Sequence, residues 1–259
     1  MTENKYSKIL VLGAGPVVIG SSSEYDYSAV SVCRALKEEG ISVVSVNSNP
    51  DTIMTDKNVA DTVYIEPLNG ETVKKIIEKE IPDAIIGTTG GEAGLEICLE
   101  LLQNGYLDEH GTKLLGIKPE TIKAIRNEQA LRDTLENVGE PYVSAKVLPT
   151  DAECVTFAGE IGFPVLISPA FTPDFSEPIR CENADDILSC FGSCAERSLV
   201  NEVYVRKCVD DYKEVEFVAM RDSFGNCISV SSTENIDSVG IHSGDSIVVI
   251  PAQTLTDSE

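Results

Sequence analysis

The stretch Glu234-Asn235-Ile236-Asp237-Ser238-Val239-Gly240-Ile241-His242-Ser243-Gly244-Asp245-Ser246 gathers carboxylates, hydroxyls, glycines and one of the chain's two histidines. Such a set can hydrogen-bond a polar ligand, and glycine lets the backbone approach a ligand closely or adopt positive φ. Ordinary hairpin-loop composition looks the same, and in such a loop His242 serves more often as a structural hydrogen-bonding residue than as a catalyst. Two other glycine clusters follow apolar runs, Gly13-Ala14-Gly15-Pro16 and Gly87-Thr88-Thr89-Gly90-Gly91. The first fails the dinucleotide fingerprint, because Gly20 falls two places late and Pro16 interrupts. An oxidoreductase with a nicotinamide or flavin cofactor would therefore rest on Gly13 and Gly15 alone. The second precedes a helix and could offer free N–H groups to an anion; a tight turn accounts for it equally well. The eight cysteines include no paired CxxC spacing with partnering histidines, since the histidines are only His110 and His242, so they read as reduced thiols and not as metal ligands.

The elements that would position these clusters follow from apolar periodicity. Residues 8–12 read as a strand, residues 27–40 as a helix and residues 41–46 as a second strand, a βαβ unit that implies a parallel sheet. Strands at 62–65 and 84–86 alternate with helices at 70–80 and 93–104, and the alternation holds to about Gly116. One or two helices fill 119–138, with Pro119 at a start and Gly139 as a stop. Beyond them come strands at 142–148 and 164–167 and helices at 152–161 and 184–194. Everything after residue 200 reads as one small sheet, with strands at 203–205, 215–220, 227–231 and 247–250 and the residue 234–246 loop at its heart. The fold class is α/β in two domains, which is also the division expected for 259 residues of 42% hydrophobic content.

Forty-three acidic against twenty basic residues give a formal charge of −23. That charge would repel a nucleic-acid backbone, so no nucleic-acid partner is expected. No apolar run reaches membrane-spanning length and the N-terminus is too polar for a signal peptide, so no membrane partner is expected and the expected location is cytoplasmic.

Several segments together resemble the large subunit of carbamoyl phosphate synthetase, in its N-terminal, bicarbonate-phosphorylating half. They include Leu12-Gly13-Ala14-Gly15-Pro16, Tyr25-Asp26-Tyr27-Ser28, Val46-Asn47-Ser48-Asn49-Pro50, Gly90-Gly91, Gly162-Phe163-Pro164, Glu234-Asn235, Gly240-Ile241-His242, Gly244-Asp245-Ser246 and Pro251-Ala252-Gln253-Thr254. The resemblance implies a Rossmann-like, parallel-sheet pre-ATP-grasp domain over 1–120 and an α+β ATP-grasp domain over 121–259, the latter incomplete in its C-terminal subdomain. It implies ATP and Mg²⁺ as cofactors and a place in pyrimidine and arginine biosynthesis. Glu214, Gly240, Ile241 and His242 keep the family's identity at nucleotide-contacting positions.

Elsewhere the sequence departs from the family at the same site. The family's two ATP-contacting arginines correspond to Glu128 and Ser168, and a nucleoside-contacting glutamate corresponds to Lys207. Its glycine-rich phosphate loop corresponds to Pro173-Asp174-Phe175-Ser176-Glu177-Pro178-Ile179. Its Mg²⁺ ligands, a glutamine, a glutamate and an asparagine, lie past the position of Glu259. A hydrogen bond to a charged group is worth roughly 1.5–3 kcal/mol, so two lost arginine contacts weaken ATP by about two to four orders of magnitude. The expectation is a degenerate homologue, a pseudoenzyme with a binding or assembly role and no catalytic residues, in which ATP binds weakly or not at all. The alternative is a split-subunit ligase component, active in carbamoyl phosphate synthesis when a partner chain supplies the metal-binding strands. Apolar strands such as 247–250 lack their usual cover, so a homo-oligomer or attachment to a partner subunit is expected.

Overall fold

The computed structural model describes residues 6–16, 23–126, 128–170, 178–198, 200–210, 212–222, 224–242 and 245–256, and their side chains except at 23, 126, 128 and 129. The chain divides into two compact units, Met1–Lys123 and Ala124–Glu259.

In the first unit the described elements run β1 (Lys8–Leu12), α1 (Ser23–Glu38), β2 (Ser42–Asn47), β3 (Thr62–Ile65), α2 (Gly70–Glu80), β4 (Ala84–Ile86), α3 (Gly91–Gln103), α4 (Tyr106–Glu109) and β5 (Lys113–Leu115). α5 (Pro119–Arg126) crosses the division. The five strands form one sheet in the order β3-β2-β1-β4-β5, parallel throughout. A parallel sheet is buried on both faces, and alternate residues of its central strand enter two different cores. Leu10 and Leu12 pack with Val44, Val46, Val73, Ile77, Ile85 and Leu101. Ile9 and Val11 pack with Ala29, Cys33, Val43 and Met54 on the other side. The helix expected from about Tyr27 begins at Ser23, and α4 is an element that the apolar pattern did not show.

Local chemistry fixes the ends. Asn69 caps α2 by accepting from the Thr72 N–H at 2.9 Å, as expected of an Asx side chain at a helix start. Asp26 on α1 accepts the Ile53 and Met54 N–H groups at 2.7 and 3.0 Å, holding the 3₁₀ turn Ile53–Thr55 that follows β2. After β4, Gly87 faces Gly94 of α3 so closely that a Cβ on Gly94 would lie 2.4 Å from the Gly87 carbonyl oxygen. A Cβ on Gly87 would lie 2.5 Å from Cys98 Sγ and 2.8 Å from the Gly94 carbonyl oxygen.

The second unit runs α6 (Glu128–Val138), β6 (Ala145–Leu148), α7 (Asp151–Ile161), β7 (Val165–Pro169), β8 (Ile179–Cys181), α8 (Ala184–Arg197), β9 (Val203–Lys207), β10 (Val215–Arg221), β11 (Cys227–Asn235) and β12 (Val248–Val249). Two antiparallel sheets result, β6-β9-β7-β8 and β10-β11-β12. This corrects the reading of all strands after residue 200 as one sheet. β9 joins the interior of the first sheet with β7: Val203 and Val205 enter a core built with Cys154, Ala158, Ile167 and Ile187, and β6 and β7 flank it. β11 is also longer than the sequence pattern gives, reaching Asn235, so Glu234 and Asn235 are strand residues opposite Val249 and Val248 and not loop residues. β10 and β11 carry a bulge between Val218 and Ala219.

Candidate functional site

The loop after β11 is stitched to the segment that enters β10. Asn235 N–H donates to the Glu214 carbonyl and Val239 N–H to the Tyr212 carbonyl, both at 3.0 Å, while Ile236 N–H reaches the Ile247 carbonyl at 2.9 Å. These bonds bring the backbone around Gly240-Ile241-His242 beside that of Glu214, so sequence positions far apart share one corner of the β10–β12 sheet. Gly240 and His242 both take positive φ, 84° and 51°, and the Ile241 and Asp245 N–H groups close the turns on Ser238 and His242. His242 Nδ1 lies 3.0 Å from Asp237 Oδ2, which orients an exposed imidazole. Ile241 is exposed and Glu214 half-buried. Ser243 and Gly244 lie outside the described residues.

The most constrained carboxylate here is one that sequence reasoning gave no role of its own. Glu234 is buried and accepts the N–H groups of Gln253 and Thr254 at 2.8 and 3.0 Å together with the Thr254 hydroxyl. The Thr254 hydroxyl first, then the Gln253 N–H, holds its carboxyl below the usual glutamate range, with Lys213 adding attraction. Glu234 therefore straps residues 251–254 across β11. No short-range pattern announces this, because donor and acceptor lie far apart in sequence.

Lys207, where the resemblance puts a nucleoside-contacting glutamate, sits at the end of β9. Its Nζ donates to the Gly162 carbonyl at 2.9 Å and faces the Phe163 carbonyl at 3.4 Å, just before the cis peptide to Pro164. Ser168 lies on β7 opposite Tyr204. The Glu128 side chain and residues 173–177, with Asp174 and Glu177, lie outside the described residues. Nearby on β8, Arg180 is bound by Glu182 at 2.7 Å and by Asp210, with Cys208 Sγ 3.2 Å from its guanidinium. The Cys208 thiol, then Arg180, draws the Asp210 carboxyl below its ordinary range. Two carboxylates thus neutralise this cation.

The two glycine clusters of the first unit are closely packed. Gly15 N–H, the donor a dinucleotide phosphate would need, is taken by Asn47 Oδ1 at 2.9 Å. A Cβ on Gly13 would lie 2.6 Å from Asn47 Cγ, and one on Gly90 would lie 2.9 Å from the Gly13 carbonyl oxygen. Gly91, at φ 56°, would place its Cβ 2.9 Å from the Tyr25 ring. The turn after β1 and the turn after β4 are thus pressed together, and the tight-turn reading of Gly90-Gly91 describes their use. Among the described residues no three His, Cys, Asp or Glu side chains are grouped to hold a metal ion. No helix among them is long and apolar enough to cross a membrane.

The sequence model of the carbamoyl phosphate synthase preATP-grasp domain matches residues 5–124, and that of the carbamoyl-phosphate synthase L chain ATP binding domain matches residues 127–259. The chain belongs to the carbamoyl phosphate synthase large-chain family. It matches within the N-terminal half of the large chain. The large chain of Agathobacter rectalis is 48% identical over 256 residues, covering 99% of this chain and 24% of that protein. That of Clostridium perfringens strain 13 is 46% identical over 253 residues, again covering 24% of the relative. The chain thus spans about a quarter of the length of the curated large chains it matches. Among solved structures, Rhizobium etli pyruvate carboxylase superposes with a TM-score of 0.71 at 23% identity, over 98% of this chain and 22% of that one. The biotin carboxylase domain of Hydrogenobacter thermophilus 2-oxoglutarate carboxylase, solved with MgADP, ADP and bicarbonate, gives 0.67 at 20% identity, over 88% of this chain and 50% of that one. These structures share this chain's α/β architecture.

Proposed function

We propose that this chain is a degenerate member of the carbamoyl phosphate synthase large-chain family that keeps the scaffold and part of a nucleotide corner, and that binds or assembles without phosphorylating bicarbonate. The observation that carries the proposal is Lys207. Where the resemblance calls for a carboxylate to meet the nucleoside, this ammonium is committed to the Gly162 carbonyl of its own chain. Swinging it toward a ligand would cost a charge-assisted hydrogen bond of roughly 1.5–3 kcal/mol. Phosphoryl transfer rests on positioning and on cations around the transferring group. Here the nearby arginine, Arg180, is already paired with Glu182 and Asp210. Glu214, Gly240, Ile241 and His242 would still bind part of a nucleoside.

Calorimetry with Mg-ATP tests this. We expect no binding, or binding weaker than about 10 μM, equivalent to roughly 7 kcal/mol, and no bicarbonate-stimulated phosphate release. Tighter binding together with such release would overturn the proposal. Glu128→Arg and Ser168→Arg together should then raise ATP affinity, and Lys207→Glu should raise it further.

A second reading, a ligase component completed by metal-binding strands from a partner chain, is favoured by the apolar side chains left open on β10 and β11. Phe217 is 61% exposed, Met220 59% and Val230 58%. Open apolar strands attract partners, so a homo-oligomer or a complex with a partner subunit follows from either reading. A stable monomer in light scattering at micromolar concentration would count against both.

A further inference from the structure

Four cysteines of the second unit, Cys154, Cys181, Cys190 and Cys194, enter one core from α7, β8 and α8, and nothing proposed above uses them. Cys181 Sγ and Cys190 Sγ are in contact at 3.7 Å. Cys194 follows Cys190 by one helical turn, so Cys190 has one thiol across from it and another beside it on its own helix face. A disulfide needs sulfurs about 2.05 Å apart, a closure of about 1.7 Å from the present separation. β8 can supply it, because among the described residues it is a three-residue edge strand paired with β7 alone, and such an edge opens more readily than the strands inside a sheet.

We propose that Cys181 and Cys190 form a redox-responsive dithiol, which a small disulfide of the glutathione class converts into an intramolecular disulfide stapling edge strand β8 to helix α8. Cys190 is 9% exposed and Cys181 fully buried, so Cys190 reacts first. Its thiolate attacks the small disulfide, forms a mixed disulfide and expels one small thiolate. Cys181, as thiolate, then attacks the Cys190 sulfur and expels the second. The two protein thiols lose two electrons and two protons, and the small disulfide leaves as two thiols. Burial pushes the Cys181 thiol up to about 12, so this second attack runs through local opening of β8 and is slow compared with reaction of the exposed Cys227.

The test uses the whole chain with Cys227→Ser, which removes the exposed thiol. It is incubated with oxidised glutathione, quenched by alkylation, and cut with trypsin, whose sites at Arg180 and Arg197 release all three cysteines of β8 and α8 in one peptide. The expected product is that peptide two hydrogens lighter before alkylation, with only Cys194 alkylated and the Cys181–Cys190 bond located by fragmentation. Dithiothreitol should restore it, and both Cys190→Ser and Cys181→Ala should abolish it while far-ultraviolet circular dichroism stays unchanged. Full alkylation of all three cysteines after prolonged exposure would overturn the proposal, as would a bond found only between Cys190 and Cys194. Loss of the fold in both variants leaves the mapping of the Cys227→Ser chain to decide by itself.

Discussion

β2 and β10 are both valine-containing strands of similar length, yet every residue of β2 after Ser42 is buried and nearly all of β10 is exposed. What separates them is the connection that follows. β2 belongs to a run of crossovers whose helices return over both faces of a parallel sheet, so Val43 and Val44 each meet a core. β10 turns back directly into β11 through a tight loop in which the Asp222 carboxylate gathers the Phe224 and Asn226 N–H groups, both at 2.9 Å. That hairpin leaves Phe217 and Met220 open. An apolar run specifies a strand, while the connection type specifies its cover.

The sharpest way to break this contrast is truncation of one side chain from each region. Ile85→Ala should cost about 2–5 kcal/mol of stability in urea unfolding, because Ile85 is fully buried in the parallel-sheet core. Phe217→Ala should cost the isolated monomer no more than about 0.5 kcal/mol; a larger cost that grows with protein concentration would report the hairpin covered by a second copy. Next in size, Asn47→Ala should cost about 1–3 kcal/mol, since it strands the Gly15 N–H inside the unit.

Acid sharpens the comparison by reaching both regions at once. Asp83, held low by the Ser7 hydroxyl and the Ser7 and Lys8 N–H groups, ties down the start of β1, while Glu234 ties residues 251–254 to β11. Both carboxyls sit below their free-chain values when folded. Their stabilisation is therefore fully present above the ordinary carboxylate range and is lost as pH falls through that range into the lowered folded values. Protection of amides against exchange, taken relative to the intrinsic rate at each pH, should fall at 253–254 and at 7–8 first down this pH window, and Glu234→Gln should flatten the response at 253–254 alone. The smallest effect on stability is expected from Phe217→Ser with Met220→Ser, within about 0.5 kcal/mol. The same pair should shift light scattering toward the monomer.

The parallel unit was largely legible in the sequence because each of its signals is local. Apolar runs at β1, β2 and β4 and the glycine turns each act within a few residues of where they are read. The second unit was less legible because its decisive pairings are long-range. Nothing near Val203 says that β9 will lie between β6 and β7 and away from β10. Nothing near Glu234 points to Thr254, and the meeting of Cys181 with Cys190 depends on how α8 lies against β8. At the candidate site, Gly240 was legible as a position open to unusual backbone and takes positive φ, whereas the positive φ of His242 was not legible. Lys207 was legible as a departure from the family, whereas its tether to Gly162 was not.

The meeting of Gly87 with Gly94 has a consequence for how this sequence can change over generations. Each position is barred to any other residue by a backbone carbonyl of its partner, and a carbonyl cannot be shortened by a second mutation. Ordinary core contacts drift by paired exchange, large for small on one side and small for large on the other. Here no such exchange is open, so a side chain at either position requires helix α3 to move as a whole.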